Sequence, residues 1–309
     1  MPVRLLTLTL NPAIDLASSA ETVEPTHKIR TSGEHIDPGG GGINVARVLH
    51  ALGGDVTALI LAGGVTGHLI DELLTQVGVP RQVLPMAGRT RISMTVLDRS
   101  TRLEYRFVPE GPVVTEAEWR AALSALERAE GEWVIASGSI PRGVPDDIYA
   151  RAARIATSRR QRFVLDTSGP ALRAALHSGV YLIKPSLREL EVLVGRRLPD
   201  RQAQEQEAVR LVRSGAAEMV AVTLGGEGAL LATAEGVIMI PALSGPVRSA
   251  VGAGDAFLAG MVLSLSRGEN PADALAWGIA TGTAAVAEIG TARVTLPAVQ
   301  AQHARLKTA

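Results

Sequence analysis

The sequence contains no cysteine, few aromatic residues and no excess of either charge. Aromatic residues make up 3% of its 309 residues, and 31 Lys and Arg residues balance 31 Asp and Glu residues. Without cysteine, disulfide frameworks, thiolate metal sites and cysteine nucleophiles are excluded. Nucleic-acid backbones are bound by clustered cations, whereas the basic runs here are pairs such as Arg159-Arg160. We therefore expect no nucleic-acid partner.

Long apolar runs are also missing. No run approaches the ~18 residues that a membrane-spanning helix needs, so no membrane partner is expected. The first ten residues carry Arg4 and run into Asn11-Pro12, which is not the layout of a signal peptide. A chain without cysteine is also compatible with a reducing compartment. These absences predict a cytoplasmic protein.

Short β-type runs that alternate with helical patterns indicate an α/β fold, a mainly parallel sheet covered by helices. The composition, 46% hydrophobic and 20% charged, is typical of a globular protein, and the length allows one large domain or about two of ~150 residues. The predicted strands are Val3–Leu10, Val56–Ala62, Trp133–Ser137, Arg162–Asp166, Val180–Lys184 and Met219–Leu224. The predicted helices are 43–52, 115–129, 145–160, 170–177, 202–214, 256–265 and 271–287.

Residues 16–37 and 88–109 interrupt this alternation. Both segments are polar, β-branched and rich in Thr and Arg, without helical periodicity. We expect them to leave the sheet edge and pair into a small second β-layer, a lid over the ligand site. The alternative is a pair of surface loops, but long structureless loops are uncommon inside compact domains.

A run of four glycines, Gly39 to Gly42, stands directly before a predicted helix that contains Asn44. Consecutive glycines allow close approach of backbone N–H groups to a ligand, and a helix N-terminus favours an anion or an array of hydroxyls. The segment lacks the Gly-Lys-Ser/Thr of a Walker loop and the Gly-x-Gly-x-x-Gly of a dinucleotide fold. A tight turn without a ligand is the alternative.

A second glycine motif, Gly252-Ala253-Gly254-Asp255, precedes another apolar helix. Two glycines at a helix start can form a backbone anion hole with the positive end of the helix dipole behind it. An aspartate at that point is suited to accept a proton from an attacking hydroxyl. The alternative is that Asp255 only caps the helix.

Other segments carry weaker signals. The glycines after the strand that ends near Thr223 predict either one side of a nucleotide site or a flexible hairpin. Lys184 is suited to bind a phosphate and Glu189 to order a metal, and the alternative is that both are exposed, solvated charges. The pairs Lys28 with Arg30 and Arg89 with Arg91 suit a phosphate dianion, or a charged sheet edge. The six histidines lack metal-ligand spacing, and no Gly-x-Ser-x-Gly elbow is present.

Together these motifs resemble the ribokinase-like (PfkB-type) family of carbohydrate kinases, from Leu6 to about Arg293. Within that family the chain is most similar to the 6-phosphofructokinase branch, through the stretches Thr7–Asp15 and Glu104–Val108 and the four-glycine segment. The resemblance implies a single ribokinase-like domain over 1–309, a three-layer α/β sandwich with a mainly parallel central sheet. It also implies a small β-lid that often forms a homodimer interface.

The resemblance further implies roles for individual residues in ATP-dependent, Mg²⁺-dependent phosphorylation of a sugar phosphate. Asp255 would be the base, with the anion hole formed by Gly252, Ala253 and Gly254. The implied sugar-phosphate residues are Asp15, Lys28, Arg30, Gly40, Gly41, Asn44, Arg91 and Ser139. The implied nucleotide residues are Lys184, Ser186, Glu189, Thr223, Gly225, Gly228 and Thr283, with Glu189 also organising magnesium. Many relatives bind potassium, which would here lie near Ser249, Val251, Ala285 and Gly290.

The chain departs from the family pattern at three places. Ser186 stands where the family usually has Asn, and Ser249-Ala250 where it often has Asp-Thr. Ala292 occupies a position where the branch tends to have Arg. The first departure bears on the magnesium contacts, and the second leaves potassium without side-chain support.

The predicted reaction is phosphorylation of fructose 6-phosphate at O1. Tagatose 6-phosphate and fructose 1-phosphate are alternatives within the class, although fructose 1-phosphate kinases tend to carry a Lys in the glycine run. A regulator that binds sugar phosphate or nucleotide without catalysis is an alternative from another class. A dinucleotide-dependent dehydrogenase is disfavoured because the first βα turn lacks Gly-x-Gly-x-x-Gly.

Overall fold

The computed structural model describes residues 3–308, so residues 1, 2 and 309 of the predicted 1–309 domain lie outside the described residues. The strands are β1 (Arg4–Thr9), β2 (Ala13–Ala20), β3 (Ser32–Gly39), β4 (Asp55–Ala62), β5 (Arg81–Pro85), β6 (Arg91–Asp98), β7 (Glu104–Phe107), β8 (Trp133–Ser137), β9 (Arg162–Asp166), β10 (Val180–Ile183), β11 (Met219–Thr223), β12 (Ala229–Thr233) and β13 (Gly236–Ile240). The helices are α1 (Gly41–Ala51), α2 (Gly64–Gln76), α3 (Glu116–Arg128), α4 (Ile148–Ser158), α5 (Gly169–Ala175), α6 (Leu187–Val194), α7 (Arg201–Arg213), α8 (Ala253–Ser266), α9 (Pro271–Val286) and α10 (Leu296–Thr308).

The main sheet has nine strands in the order β13-β12-β11-β10-β9-β8-β1-β4-β5. All neighbours from β5 to β11 pair in parallel, and β12 and β13 add antiparallel strands at one edge. One core cluster, with Leu49 and Met261, joins the sheet to α1, α8 and α9. A second, with Tyr149 and Leu172, joins its other face to α3, α4 and α5. The predicted three-layer α/β sandwich is therefore confirmed.

The strands and helices predicted from the sequence are all present, with bounds that differ by no more than three residues. The prediction missed α2, α10, β5 and β13. Helix α2 begins after Gly63, which has no capping side chain, so the usual sequence signal for a helix start is absent. In β5, Leu84 is the buried residue, because the strand lies at the sheet edge and needs no continuous apolar run.

Four strands form a second sheet in the order β3-β2-β6-β7, here called the lid. It is built from the two interrupting segments, and its strands begin at Ala13 and extend to Gly39, slightly beyond the predicted limits. Strand alternation gives the lid a polar face, which carries Asp15, Arg91 and Arg106, and an apolar face.

The apolar face of the lid is exposed in the single chain. The strand register aligns Ile36, Leu16, Met94 and Phe107 in one row across the four strands. Phe107 is 54% exposed and Ile92, in the next row, is 48% exposed. Elsewhere, no helix within residues 3–308 combines the length and apolar character needed to cross a membrane.

Candidate active site

A cleft of about 810 Å³ lies between the carboxyl ends of the central strands and the polar face of the lid. Ligand sites in open α/β sheets occupy this edge because connecting loops and helix N-termini converge there. The predicted site residues that line it are Asp15, Gly40, Gly41, Asn44, Arg91, Ser139, Glu189, Ser249, Val251, Gly252, Asp255 and Gly290. The structure thus brings residues from both ends of the chain to one cavity.

Asp255 lies in the first turn of α8, at the bottom of the cleft. Asn44 Nδ2 donates a hydrogen bond of 2.9 Å to Asp255 Oδ2, and Ser137 Oγ lies 3.5 Å from Asp255 Oδ1. Gly252, not Asp255, occupies the N-cap position. Burial raises the pKa of Asp255 to about 6, although the hydrogen bond from Asn44 opposes this shift. The carboxylate therefore faces the cleft and is not used as a helix cap.

The turn before α8 is shaped to receive an anion. Gly252 has a φ of 76°, and a Cβ there would lie 2.7 Å from the Cβ of Ala292, so glycine is required twice over. A Cβ on Gly254 would lie 3.3 Å from Lys184 Nζ. The amides of a first helical turn lack intrahelical partners, so amides and an ammonium group converge here.

Lys184 is buried and lies 3.2 Å from Asp166, measured from Nζ to Oδ1. Burial acts to lower the pKa of Lys184, but the carboxylates of Asp166, Glu189 and Asp255 together raise it above the ordinary value. Burial also raises the pKa of Asp166, and the Lys184 ammonium opposes that effect. Lys184 therefore stays a cation beside the Gly254 turn. Asp166, at the end of β9, was not predicted as a site residue.

On the lid side, Asp15 is held in a tight pocket. A Cβ on Gly39 would lie 2.2 Å from its carboxylate, so the glycine makes room for it. Burial raises the pKa of Asp15 to about 6, while a hydrogen bond from the Thr291 side chain lowers it. The negative charge of Asp37 raises it further, and Arg106 and Arg91 lower it.

Arg91 and Ser139 are tied together by Asn11. Arg91 donates through Nη1 to the main-chain oxygen of Pro109 (2.7 Å) and through Nη2 to that of Asn11 (3.0 Å), while its buried Nε has no hydrogen-bond partner within residues 3–308. Asn11 Nδ2 donates to Ser139 Oγ at 3.1 Å and to the carbonyl of Glu110 at 2.9 Å. Asn11 therefore holds Arg91 through its main-chain oxygen and Ser139 through its buried side chain.

Lys28 and Arg30 are exposed and do not line the cleft of their own chain. They lie in the connection between β2 and β3, which is not extended strand, so the predicted alternation does not apply. Arg106 and Arg248 line the cleft instead, although neither was predicted. The signal for Arg106 was available, because it pairs with Thr95 and so shares the lid face of Arg91.

The remaining predicted residues surround the cleft without lining it. Thr223, the last residue of β11, forms an isolated parallel β-bridge with Ser186, and Thr223 N donates to the carbonyl of Pro185 at 3.1 Å. Strands β11 and β12 form the anticipated hairpin, whose tip at Gly225 and Gly226 has open space around it. The other residues outside the lining are Lys184, Ala253, Gly254, Gly228, Thr283 and Ala285.

Comparison with known proteins identifies the family. The model of the pfkB family carbohydrate kinases matches residues 8–298. The chain belongs to this family. The chain is 45% identical over 291 residues to ATP-dependent 6-phosphofructokinase isozyme 2 of Mycobacterium tuberculosis, covering 94% of this chain and 86% of that protein. It is 32% identical over 295 residues to 1-phosphofructokinase of Rhodobacter capsulatus, covering 94% and 92% of the two chains.

Solved structures of phosphofructokinase-2 from Escherichia coli share the ribokinase-like fold. The complexes with potassium and with fructose-6-phosphate match with TM-scores of 0.94 and 0.93, at 35% and 34% identity, over 99% of both chains. The tetrameric inhibited form matches equally well, with a TM-score of 0.93 over 99% of both chains at 34% identity.

The departures from the family pattern have structural explanations at two positions. Ser186 is the N-cap of α6, and its hydroxyl and amide both donate to Glu189 Oε2 at 2.8 Å while Glu189 N donates back to Ser186 Oγ. This capping box aims Glu189 at the cleft without an asparagine. Ala292 has a φ of 49°, is 3% exposed and packs against Gly252, so the position has little room for an arginine.

We expect Asp255→Asn to stabilise the protein at pH 8. In the folded protein the pKa of Asp255 is about 6, above its ordinary 3.8, so the folded state holds this proton more tightly than the unfolded state. The free energy of unfolding therefore falls as the pH rises from about 4 to about 6, and the ionised Asp255 destabilises the protein above that range. Asn carries no charge at any of these pH values. The melting temperature should rise by on the order of 2 °C at pH 8, and the gain should shrink at pH 5.

The control is Asp146→Asn, because Asp146 is exposed. It should leave the difference in melting temperature between pH 8 and pH 5 unchanged. A gain for Asp255→Asn that is no larger at pH 8 than at pH 5 would contradict the assigned charge burial.

Proposed function

We propose that this chain is an ATP-dependent 6-phosphofructokinase, which transfers the γ-phosphoryl group of ATP to O1 of fructose 6-phosphate. The observation that carries the proposal is the position of Asp255. It lies between an anion-binding turn, Gly252 to Gly254, and a polar lid pocket that contains Asp15 and Arg91. The names of the M. tuberculosis and E. coli relatives support the same reaction.

In the proposed mechanism, Asp255 accepts the proton of the sugar hydroxyl as that oxygen attacks the γ-phosphorus. The new oxygen–phosphorus bond forms, the bond to the ADP oxygen breaks, and the proton stays on Asp255 until it is released. Asn44 orients the base through its 2.9 Å hydrogen bond. Asn44 Oδ1 is buried and has no hydrogen-bond partner within residues 3–308, so it is available to a sugar hydroxyl.

The lid side of the cleft supplies the other contacts to the sugar phosphate. Asp15, Gly40 and Gly41 would bind hydroxyl groups, and Arg91, Ser139 and the newly recognised Arg106 would bind the 6-phosphate. Lys28 and Arg30 do not reach the cleft of their own chain. We assign them to the cleft of a second copy in the proposed homodimer.

The α8 side of the cleft would hold the nucleotide. The amides of Gly252, Ala253 and Gly254 would stabilise charge on the transferring group, and Lys184 adds a cation beside Gly254. Thr223, Gly225, Gly228 and Thr283 would line the nucleotide beside the open tip of the β11–β12 hairpin. These groups are on rigid elements, as catalysis by positioning requires.

The residues present fit Mg²⁺. Within residues 3–308 no three His, Cys, Asp or Glu side chains cluster closely enough to hold a metal by themselves. Mg²⁺ in kinases is usually held by one or two carboxylates together with water and the phosphates, and Glu189 and Asp166 supply such carboxylates at the cleft. When bound, the ion would neutralise phosphate charge. Ser186 serves it by keeping Glu189 in place.

We also propose a potassium site near Ser249, Val251, Ala285 and Gly290, where main-chain oxygens are the available ligands. The potassium complex of the E. coli relative supports it. Ser249 and Ala250 contribute no carboxylate, so the affinity should be lower than with an aspartate in that segment. Turnover in potassium chloride should exceed turnover in sodium chloride, and equal rates would remove potassium from the proposal.

The exposed apolar face of the lid supports a homodimer, and we expect this homodimer to act in the cytoplasm. Its apolar face contains Ile36, Ile92, Met94 and Phe107, and burial of such a face against a second copy would remove exposed apolar surface from water. The tetrameric form of the E. coli relative is consistent with self-association.

A catalytically silent regulator is disfavoured by the intact pairing of Asp255 with Asn44 beside the anion-binding turn. Tagatose 6-phosphate differs from fructose 6-phosphate at one stereocentre. Both sugars suit the hydroxyl-binding groups named above. Fructose 1-phosphate fits less well, because its phosphate is at the opposite end of the sugar from the one that the lid arginines would bind.

The first experiment measures ADP release with Mg-ATP and four acceptors: fructose 6-phosphate, tagatose 6-phosphate, fructose 1-phosphate and fructose. We expect a higher kcat/KM for the two 6-phosphates than for fructose 1-phosphate and fructose, because the lid cations select a 6-phosphate. Of the two, fructose 6-phosphate should be preferred, in line with the names of the relatives. Asp255→Asn should lower kcat by about 10²-fold or more with nearly unchanged sugar-phosphate binding, whereas Asp146→Asn should match the wild type. Preference for another acceptor, or a fully active Asp255→Asn, would overturn the corresponding assignment.

The pH dependence of kcat/KM gives a second test. Asp255 and Asp15 have pKa values raised to about 6 by burial, so activity should be present above pH 6 and lost as the pH falls below it. The charge of Asp15 helps to raise the pKa of Asp255, so Asp15→Asn should move the acid limb of the residual activity to lower pH. An acid limb that stays in place in this variant would show that the substrate phosphate, not Asp255, titrates.

The dimer is tested by Phe107→Glu and Met94→Glu. A charge on the apolar face of the lid would be buried without a partner in the dimer, so light scattering should detect monomers. Val192→Glu is the matched control, because Val192 is 57% exposed on α6, which packs against α5 and β11 and not against the lid. A wild-type monomer, or a dimer that persists in both lid variants, would refute this interface.

A further inference from the structure

A cluster of three charged side chains lies behind the lid side of the cleft, outside the residues assigned above. Asp37 on β3 is 3% exposed, and its Oδ1 accepts hydrogen bonds from Arg293 Nη2 at 2.9 Å and from Arg47 Nη2 at 3.3 Å. Burial acts to raise the pKa of Asp37, but the two guanidinium groups and the amide of Thr291 hold it below the ordinary value. Asp37 is therefore a buried anion with two arginine partners.

The cluster fixes the segment 290–293, which joins α9 to the start of α10. Thr291 N donates to Asp37 Oδ2 at 3.1 Å, and Arg47 Nη1 donates to the carbonyl of Thr291 at 3.1 Å. Gly290 has a φ of 105°, and a Cβ there would lie 2.9 Å from Asp37 Oδ2. Both main-chain polar groups of Thr291 are thus held by buried charges.

The same segment contacts both halves of the candidate active site. On the lid side, Asp15 pairs directly with Asp37 across β2 and β3, and both Asp15 and Thr291 line the cleft. Ala292 donates its amide to the carbonyl of Val251 at 3.2 Å and packs against Gly252 on the α8 side. A shift of this segment would therefore move Asp15 and the anion-binding turn together.

We propose that Asp37, Arg47 and Arg293 form a positioning unit that sets the distance between Asp15 and the Gly252 turn. None of the three is assigned a contact with the reacting atoms, so they act through Thr291 and Ala292. Arg47 strengthens the connection on the lid side, because its Nη1 also donates to the carbonyl of Pro38, directly before the glycine run. The expected changes in kcat and KM rest on the proposed function, whereas the expected positioning of Asp15 and the Gly252 turn does not.

The main test is Asp37→Asn, which keeps the size of the side chain and removes the charge shared by the two arginines. We expect kcat to fall between about 10-fold and 10²-fold and the KM for the sugar phosphate to rise several-fold, because misplacement of about 1 Å costs rate on this scale. The assay uses the sugar phosphate that the wild type converts best.

Glu207→Gln is the matched control. Glu207 on α7 is also 3% exposed, and it pairs with two arginines, Arg196 and Arg210. None of these three residues lines the cleft. Removal of the Glu207 charge should lower the melting temperature by an amount similar to that for Asp37→Asn, whereas kcat and KM should stay at wild-type values. Equal kinetics of the two variants would overturn the proposal.

Two further measurements cover other outcomes. Arg293→Gln changes a half-exposed partner and should fold even if Asp37→Asn does not, with smaller changes of kcat and KM in the same direction. Hydrogen exchange of the native protein tests the geometry without turnover. Amides in 250–254 and 290–293 should exchange faster in either cluster variant but not in Glu207→Gln, and unchanged exchange there would refute the unit even if the proposed reaction proves wrong.

Discussion

Burial of one carboxylate at the start of α8 is the constraint on which the site depends. Asp255 is held by a single strong hydrogen bond from Asn44, and its burial raises its pKa to about 6. A carboxylate so placed costs stability at neutral pH but is a better proton acceptor than an ordinary aspartate. The glycines before it leave the turn without side chains at Gly252 and Gly254, where a Cβ would lie 2.7 Å from the Cβ of Ala292 and 3.3 Å from Lys184 Nζ.

The parallel sheet makes this arrangement possible. Strands β8, β9 and β10 are neighbours, so Ser137, Asp166 and Lys184 at their carboxyl ends meet at one edge. Helices α1 and α8 bring Asn44 and Asp255 to the same edge from positions 211 residues apart. The lid closes the other side with its polar face, and its apolar face is exposed in the single chain.

Much of the fold and the centre of the site could be predicted because their signals are local. Trp133–Ser137 and Arg162–Asp166 are short apolar runs, and their predicted bounds match the strands residue for residue. The two glycine motifs predict the helix starts next to Asn44 and Asp255. Helix α2 was missed because glycine replaces its cap. Lys28 and Arg30 were expected in the cleft, yet their segment is an exposed connection whose path sequence periodicity does not describe.

By itself, the sequence determined the α/β class, the lid segments and the residues of the two glycine motifs, since composition, periodicity and glycine spacing act over a few residues. Only the tertiary structure decided that Asp166 pairs with Lys184, that Ser186 caps α6 and that Arg106 faces the cleft. It also decided that Asp37 joins Arg47 to Arg293. These contacts depend on how distant segments pack. The free energy of burying a charge depends on the partners that surround it in the folded protein, and these partners come from distant parts of the chain.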